Sequence, residues 1–207
     1  MEEFAAVRPS GLIAMNLDEG DQLSWARVTS GKDEVIFVTE NGQALRFSED
    51  KVRAMGRQAA GVQAIRLKIG DAVTGMDVVE KDGSLLVITS TGFGKQTPLK
   101  EYSPKGRATG GIATIDQKAI KEIGKIVAAR VVQKDDDLTI ITANGVAIRI
   151  KNKTVKQAGR ATKGVHLIKP QPGDSVASVA RISAEDLKKA GAELDTEEKT
   201  EPQPQLI

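Results

Sequence analysis

Aromatic side chains are scarce in this chain: four Phe, one Tyr and one Trp among 207 residues. Any core must therefore be built from Val, Ile, Leu and Ala, and no row of rings is at hand to stack unpaired bases. Cysteine is absent, which excludes a disulfide framework and thiolate metal sites and suits a reducing cytoplasm. A single histidine, His166, gives no basis for a histidine zinc site or a Ser-His-Asp triad. No apolar run approaches the roughly 20 residues of a membrane helix, so no membrane partner is expected. The opening MEEFAAVRPSG has neither the basic start nor the apolar stretch of a leader peptide.

What is present is repetition. The turn glycines of TENG, TSTG and TANG are Gly42, Gly92 and Gly145, and a Gly-Arg pair follows each after 14 residues, at Gly56, Gly106 and Gly159. Five residues further on stand Gly61, Gly111 and Gly164, each opening a strand-like run: GVQAIRL, GIATI and GVHLI. GLIAMNL at Gly11 is a fourth copy of that run. Gly-Asp recurs nine residues after Gly11, Gly61 and Gly164, at 20–21, 70–71 and 173–174. The period is 50, 50 and then 53 residues, the last lengthened by DQKAIKEIGK. A fixed period of this size is the signature of a repeat architecture.

Within a unit the pattern is β. VIFVT, LLVIT and LTIIT are β-branched runs of strand length. Each leads through a short turn to a second strand, and Asn41-Gly42 and Asn144-Gly145 predict type I′ hairpins. Gly-Asp predicts a further turn before QLSWARV, AVTGMDVV and SVASVARI. The expected fold class is all-β, with about four short strands per 50 residues arranged as propeller-like blades; a solenoid of β units is the alternative. Residues 1–183 form the repeats. SAEDLKKAGAEL predicts a short helix capped by Ser183, and DTEEKTEPQPQLI a disordered acidic tail over the end of 184–207. The tail carries a net charge of −4 from Ala184 onward, against +6 for the rest.

No arrangement of residues supports an enzyme, and no cofactor is expected. TGFGKQT departs from a phosphate loop, because Thr89 replaces its first glycine and Gln96 its magnesium-binding hydroxyl. His166 reads as a solvated strand position, Tyr102 as a packing residue aligned with Val52 and Val155, and Asp135, Asp136 and Asp137 as a solvated turn. The basic residues are different, because they recur. Arg46 and Arg149 stand four residues after their turn glycines, where the second unit has Gln96 with Lys95 beside it. Lys51 and Arg53, Lys100 and Lys105, and Lys151, Lys153 and Lys156 follow, and then Arg57, Arg107 and Arg160 in the Gly-Arg pairs. In a stack of units these predict a basic band suited to duplex DNA read through its backbone. The competing readings are ordinary solvated charge and a protein-interaction propeller with no nucleic-acid role.

The stretches EFAAVRPSGLIAMNLDEGDQL, VTENGQALRFSEDKVRAMGRQAAGVQAIRL, GFGKQTPLKEYSPKGRATGGIATI and TANGVAIRI…AGRATKGVHLI resemble the C-terminal domain of the DNA gyrase A subunit, more closely than that of its topoisomerase IV paralogue. The resemblance runs from about Glu3 to Ile182. It implies a β-pinwheel, six-bladed in the family, with strands exchanged between blades, of which this chain holds roughly the later half. It implies binding and bending of duplex DNA within a bacterial, cytoplasmic, nucleoid-associated holoenzyme. The partners would be the remainder of the gyrase A polypeptide and the gyrase B polypeptide, two copies of each, and the work ATP-driven negative supercoiling. It carries rim roles to Arg46, Arg53, Arg57, Lys95, Lys105, Arg107, Arg149, Arg160 and Lys163. The family's Gln-Arg/Lys-Arg-Gly-Gly-Arg/Lys-Gly box, which it needs for full wrapping, is absent; MGRQAAG, KGRATGG and AGRATKG are its degenerate counterparts. The cleavage domain and the ATPase motifs are absent as well, so this stretch alone is expected to perform no catalysis.

Overall fold

In the computed structural model, residue 4, residue 7, residues 9–189 and residue 191 are described. The acidic tail expected after the repeats lies almost wholly outside them. Eleven strands form three antiparallel sheets among the described residues. The hairpins come first: β1 (Glu34–Thr39) with β2 (Gln43–Ser48), β4 (Ser84–Thr89) with β5 (Phe93–Pro98), and β8 (Asp137–Thr142) with β9 (Ala147–Lys151). An outer strand flanks each: β3 (Val73–Val78) on β1, β7 (Ile126–Val132) on β4 and β11 (Val176–Ile182) on β8.

The fourth strand of a sheet comes from the next repeat. β6 (Ile112–Ala113) pairs with β2, and β10 (Val165–His166) pairs with β5. This is strand exchange between blades, and it explains why each such run opens with glycine. Gly111 and Gly164 have φ of +71° and +79°, and a Cβ on either would stand 2.5 Å from a carbonyl oxygen of the receiving strand, that of Ala44 or of Gly94. A side chain is excluded there by backbone conformation and by space together.

The hairpin turns differ from the type I′ expectation. Gly42, Gly92 and Gly145 have positive φ, but Asn41 and Asn144 do not. Each glycine N–H bonds back to the carbonyl of Thr39, Thr89 or Thr142, at 2.9–3.0 Å. The loops are three residues long, a type I turn closed by a left-handed glycine, which places positive φ on the glycine alone. The Gly-Asp aspartates then cap them: Asp71 Oδ1 accepts from the Asn41 N–H at 3.0 Å and Asp174 Oδ1 from the Asn144 N–H at 3.1 Å.

Three expected strands do not form. Residues 11–17, 22–28 and 61–67 contain no strand, only an isolated bridge from Ile65 to Thr109. By the pairing rule of the other units, their partners would be hairpins preceding β1, and no such hairpins are among the residues of this chain. An extended segment without a ladder partner leaves its backbone groups to side chains, scattered main-chain bonds and solvent. Ile13 and Val28 are accordingly 73% and 78% exposed.

The sheets pack side by side, with β7 lying between β3 and β11. One core joins the first and second sheets through Ile36, Val38, Leu85, Val87, Ile115, Ile123 and Val131, and another joins the second and third through Leu86, Ile88, Leu138, Ile140 and Val179. Tyr102 lies in the first core with its hydroxyl bonded to Thr114, as its alignment with Val52 and Val155 suggested. The insertion of the third unit folds into a single helical turn, α1 (Ile120–Ile123), and the last helix, α2 (Ala184–Lys189), begins with Ser183 Oγ accepting from the Asp186 N–H at 3.0 Å.

The aspartate cluster is not the solvated turn expected of it. Asp136 and Asp137 are buried, at 2% and 3% exposure. Asp136 Oδ2 lies 2.6 Å from Arg181 Nε, and Asp137 pairs with Arg149 at 2.7 Å. Buried carboxylates persist because cations and N–H groups meet them.

Candidate nucleic-acid interface

The Gly-Arg loops follow each second strand of a hairpin after a 3-10 turn, at Glu49–Lys51, Leu99–Glu101 and Asn152–Thr154. Their arginines repeat one geometry three times. Arg57 Nη1 donates to the carbonyl of Ile13 at 3.1 Å, Arg107 Nη1 to that of Gln63 at 3.1 Å, and Arg160 Nη1 to that of Ala113 at 3.3 Å. The acceptors are equivalent residues of successive Gly-initiated runs. Each guanidinium thus holds a repeat to the run before it, half-buried by one edge. Arg107 adds a bond from Nε to the Lys51 carbonyl at 3.1 Å. Among the described residues, no carboxylate side chain bonds the guanidinium of Arg107 or Arg160, so their positive charge is not neutralised in place.

Around these loops lie exposed cations. Arg53, Lys100, Lys105, Lys153 and Lys156 are all on the surface, and the Lys105 main-chain N–H bonds the Arg46 carbonyl at 2.8 Å, fixing where that side chain leaves the backbone. Lys163 is partly committed: its Nζ lies 3.0 Å from Glu122 and 5.8 Å from the centre of the Phe93 ring. His166, exposed on β10, rests its ring against Phe93 at 3.9 Å.

Three of the residues expected on the rim have other work. Lys95 is wholly buried. It lies on the strand face of Leu45 and Ile148 in the other units, not on that of Arg46, because side chains alternate along a strand. It is therefore no surface phosphate contact. Arg46 is a joint between sheets: its guanidinium pairs with Glu34 and donates from Nη1 to the carbonyls of Leu99 at 2.9 Å and Tyr102 at 3.3 Å. Gln96, its equivalent, does the same one unit later, with Nε2 donating to Asn152 at 3.3 Å and Val155 at 2.8 Å. Arg149 keeps the ion pair with Asp137 and meets no such carbonyls among the described residues. The substitution of Arg by Gln at one repeated position was the available signal: both donate hydrogen bonds, but only one carries charge, so a joint tolerates the exchange and a phosphate site would not.

Among the described residues, no group of three acidic or imidazole side chains is placed to hold a metal, and no helix is long and apolar enough to cross a membrane.

The fold and this surface define a class: a propeller-like array of strand-exchanged β blades with cationic loops repeated at the joints. The family described as "DNA gyrase C-terminal domain, beta-propeller" matches residues 1–30, 33–80, 83–133 and 136–183, and the chain belongs to it. The DNA gyrase A subunit of Mycolicibacterium smegmatis is 40% identical over 188 residues, which is 90% of this chain and 22% of the relative; the chain thus spans about a fifth of such a protein. Among solved structures, the C-terminal domain of DNA topoisomerase IV superposes with a TM-score of 0.84 at 30% identity, covering 92% of this chain and 60% of that one. The DNA gyrase A C-terminal domain superposes with 0.77 at 25% identity, covering 84% and 58%.

Proposed function

We propose that this chain binds duplex DNA without sequence preference, as part of the A subunit of a gyrase-type topoisomerase. It presents a bent segment to a holoenzyme of two A and two B subunits that introduces negative supercoils at the expense of ATP. The observation that carries this reading is the threefold recurrence of the tethered arginine at Arg57, Arg107 and Arg160. Each is tied through Nη1 to the preceding Gly-initiated run and repeats at the spacing of the blades, beside the cations Arg53, Lys105 and Lys163. Phosphates accept from such groups at any sequence. Bending 20–30 base pairs by 40–90° costs on the order of 1–6 kcal/mol, which a row of contacts spread along the arc is suited to offset. Strand cleavage and ATP hydrolysis belong, in this reading, to the rest of that assembly.

The test is retention of plain duplex by the chain at two salt concentrations. Changing Arg57, Arg107 and Arg160 together to Ala is expected to weaken binding and to flatten the plot of log affinity against log salt by roughly two to three units, about 0.9 for each phosphate no longer neutralised. Because the same arginines tie the repeats, thermal unfolding of the variant is followed in parallel. The double change of Lys105 and Lys156 to Ala, which removes exposed charge and no tie, is expected to act in the same direction with the fold intact. Unchanged affinity in both variants at low salt overturns the reading and favours an interaction propeller.

A further inference from the structure

Lys95 is the one lysine whose side chain is fully enclosed among the described residues. Its Nζ donates to the carbonyls of Gly159 and Arg160, both at 2.6 Å, and to Thr162 Oγ1 at 3.1 Å. Three N–H groups meet three oxygens, and none of those oxygens belongs to a carboxylate. All three acceptors lie on a single loop, the one bearing the Arg160 guanidinium. That loop packs directly on β5: a Cβ at Gly164 would stand 3.4 Å from the Cβ of Lys95. Thr162 Oγ1 donates onward to the Gly159 carbonyl at 2.9 Å and closes the turn.

The chain carries its own control. The equivalent loop of the preceding repeat, Gly106–Gly111, has the corresponding bond from Thr109 Oγ1 to the Gly106 carbonyl at 3.3 Å. At the position of Lys95 the preceding repeat has Leu45, buried in a cluster with Phe47 and Ile65. One repeat therefore puts an apolar side chain at this position and the next an ammonium that holds the loop. Leucine fits this position in the same architecture, so the lysine is not needed to fill space.

We infer that Lys95 is the positioning residue of the Gly159–Gly164 loop, its ammonium clamping the loop's carbonyls inward so that Arg160 and Lys163 face a phosphate backbone. This rests on the duplex-binding reading for its purpose, but the clamp itself does not. The charged groups acting on Lys95 are Glu101 after β5, Asp116 after β6 and Arg160 on the loop. Burial, the largest influence, together with Arg160, brings its pKa down to about 8, against the upward pull of Glu101 and Asp116. Above that pH the amine is neutral and lends no charge to the rim. DNA phosphates at the loop favour the charged form, so duplex binding near pH 8 takes up a proton.

The experiment compares the wild-type chain with Lys95→Leu, the residue of the sibling blade. Duplex affinity of the wild type is expected to fall through a step centred near pH 8, and the variant to be about five- to tenfold weaker at pH 7 and flat through that step. Independently of DNA, amide exchange in the wild type, corrected for intrinsic rates, is expected to gain protection over 159–163 between pH 7 and pH 9, because opening the loop returns Lys95 to its ordinary pKa and lets it take up a proton, while 106–110 holds steady. Equal affinity and equal pH profiles for the two proteins, or loop protection indifferent to pH, overturns the inference. A wild type that retains no duplex at any salt removes the functional reading alone, because the exchange comparison still decides whether Lys95 holds the loop. If Lys95→Leu does not fold, the wild-type exchange comparison carries the decision.

Discussion

The second and third sheets are built from one pattern and end in different states. β5 is paired on both sides, with β4 and with β10 from the following repeat, whereas β9 has β8 alone among the described residues. Gln96 reaches the carbonyls of Asn152 and Val155, and its main-chain N–H bonds the Lys156 carbonyl at 3.1 Å. Arg149, at the same place in the third unit, retains only Asp137 among the described residues. The difference lies in the neighbour, not in the strand. A blade of this kind specifies three strands by itself and leaves the fourth strand, and the cap on its charged joint residue, to the repeat that follows.

The comparison breaks most severely where the fourth strand enters. Gly164→Val should cost roughly 3–5 kcal/mol, because the new side chain meets the Gly94 carbonyl in a backbone conformation it resists. Gly145→Val shares the positive φ but has nothing within 4 Å, so it should cost about 1–2 kcal/mol from strain alone. Urea unfolding of the two variants gives the contrast directly, and equal losses would show that strand exchange contributes little.

The joint itself is the next lever. Arg46→Ala leaves Glu34 unpaired and two carbonyls without their donor, and about 2–3 kcal/mol should be lost. Arg149→Ala strips no carbonyl of its donor among the described residues but leaves the buried Asp137 carboxylate without its cation, and about 1–3 kcal/mol should follow. A smaller effect comes from pH. Lys95 has its folded pKa at about 8, below the ordinary 10.5, so between those values the unfolded chain holds a proton that the folded chain has released. Stability is therefore expected to rise with pH across that window, read as an increase in the urea midpoint from pH 7.5 to 9.5 that Lys95→Leu lacks. The finest distinction is a single amide: that of Arg149 should exchange roughly tenfold or more faster than that of Gln96, since it has no partner strand to open from.

Much of this was legible in the residues. The glycine spacings marked the hairpin turns and the starts of the exchanged strands, because each needs the positive φ that glycine adopts freely, and they marked the Gly-Arg loops by recurrence alone. The sequence left Lys95 ambiguous: beside Gln96 it looked like a displaced surface cation, and only the two-residue alternation of β5, set against Leu45 and Ile148, places it inside. The hairpin turns were misjudged by one residue, since Asn-Gly is compatible with a two-residue and a three-residue loop. The pairing of β6 with β2 rather than with its own hairpin was invisible to periodicity, because a two-stranded and a swapped arrangement present the same pattern of apolar residues. For the same reason, 11–17, 22–28 and 61–67 read as strands: they have the composition, and what they lack is a neighbour.

Strand exchange also dictates how such a chain is made. Ala44 waits for Ile112, so a polypeptide leaving the ribosome always carries one unfinished blade behind the point of synthesis, its edge and its Arg or Gln donor open until the next repeat emerges. Maturation lags translation by one unit, and a pause between repeats exposes the same edge each time.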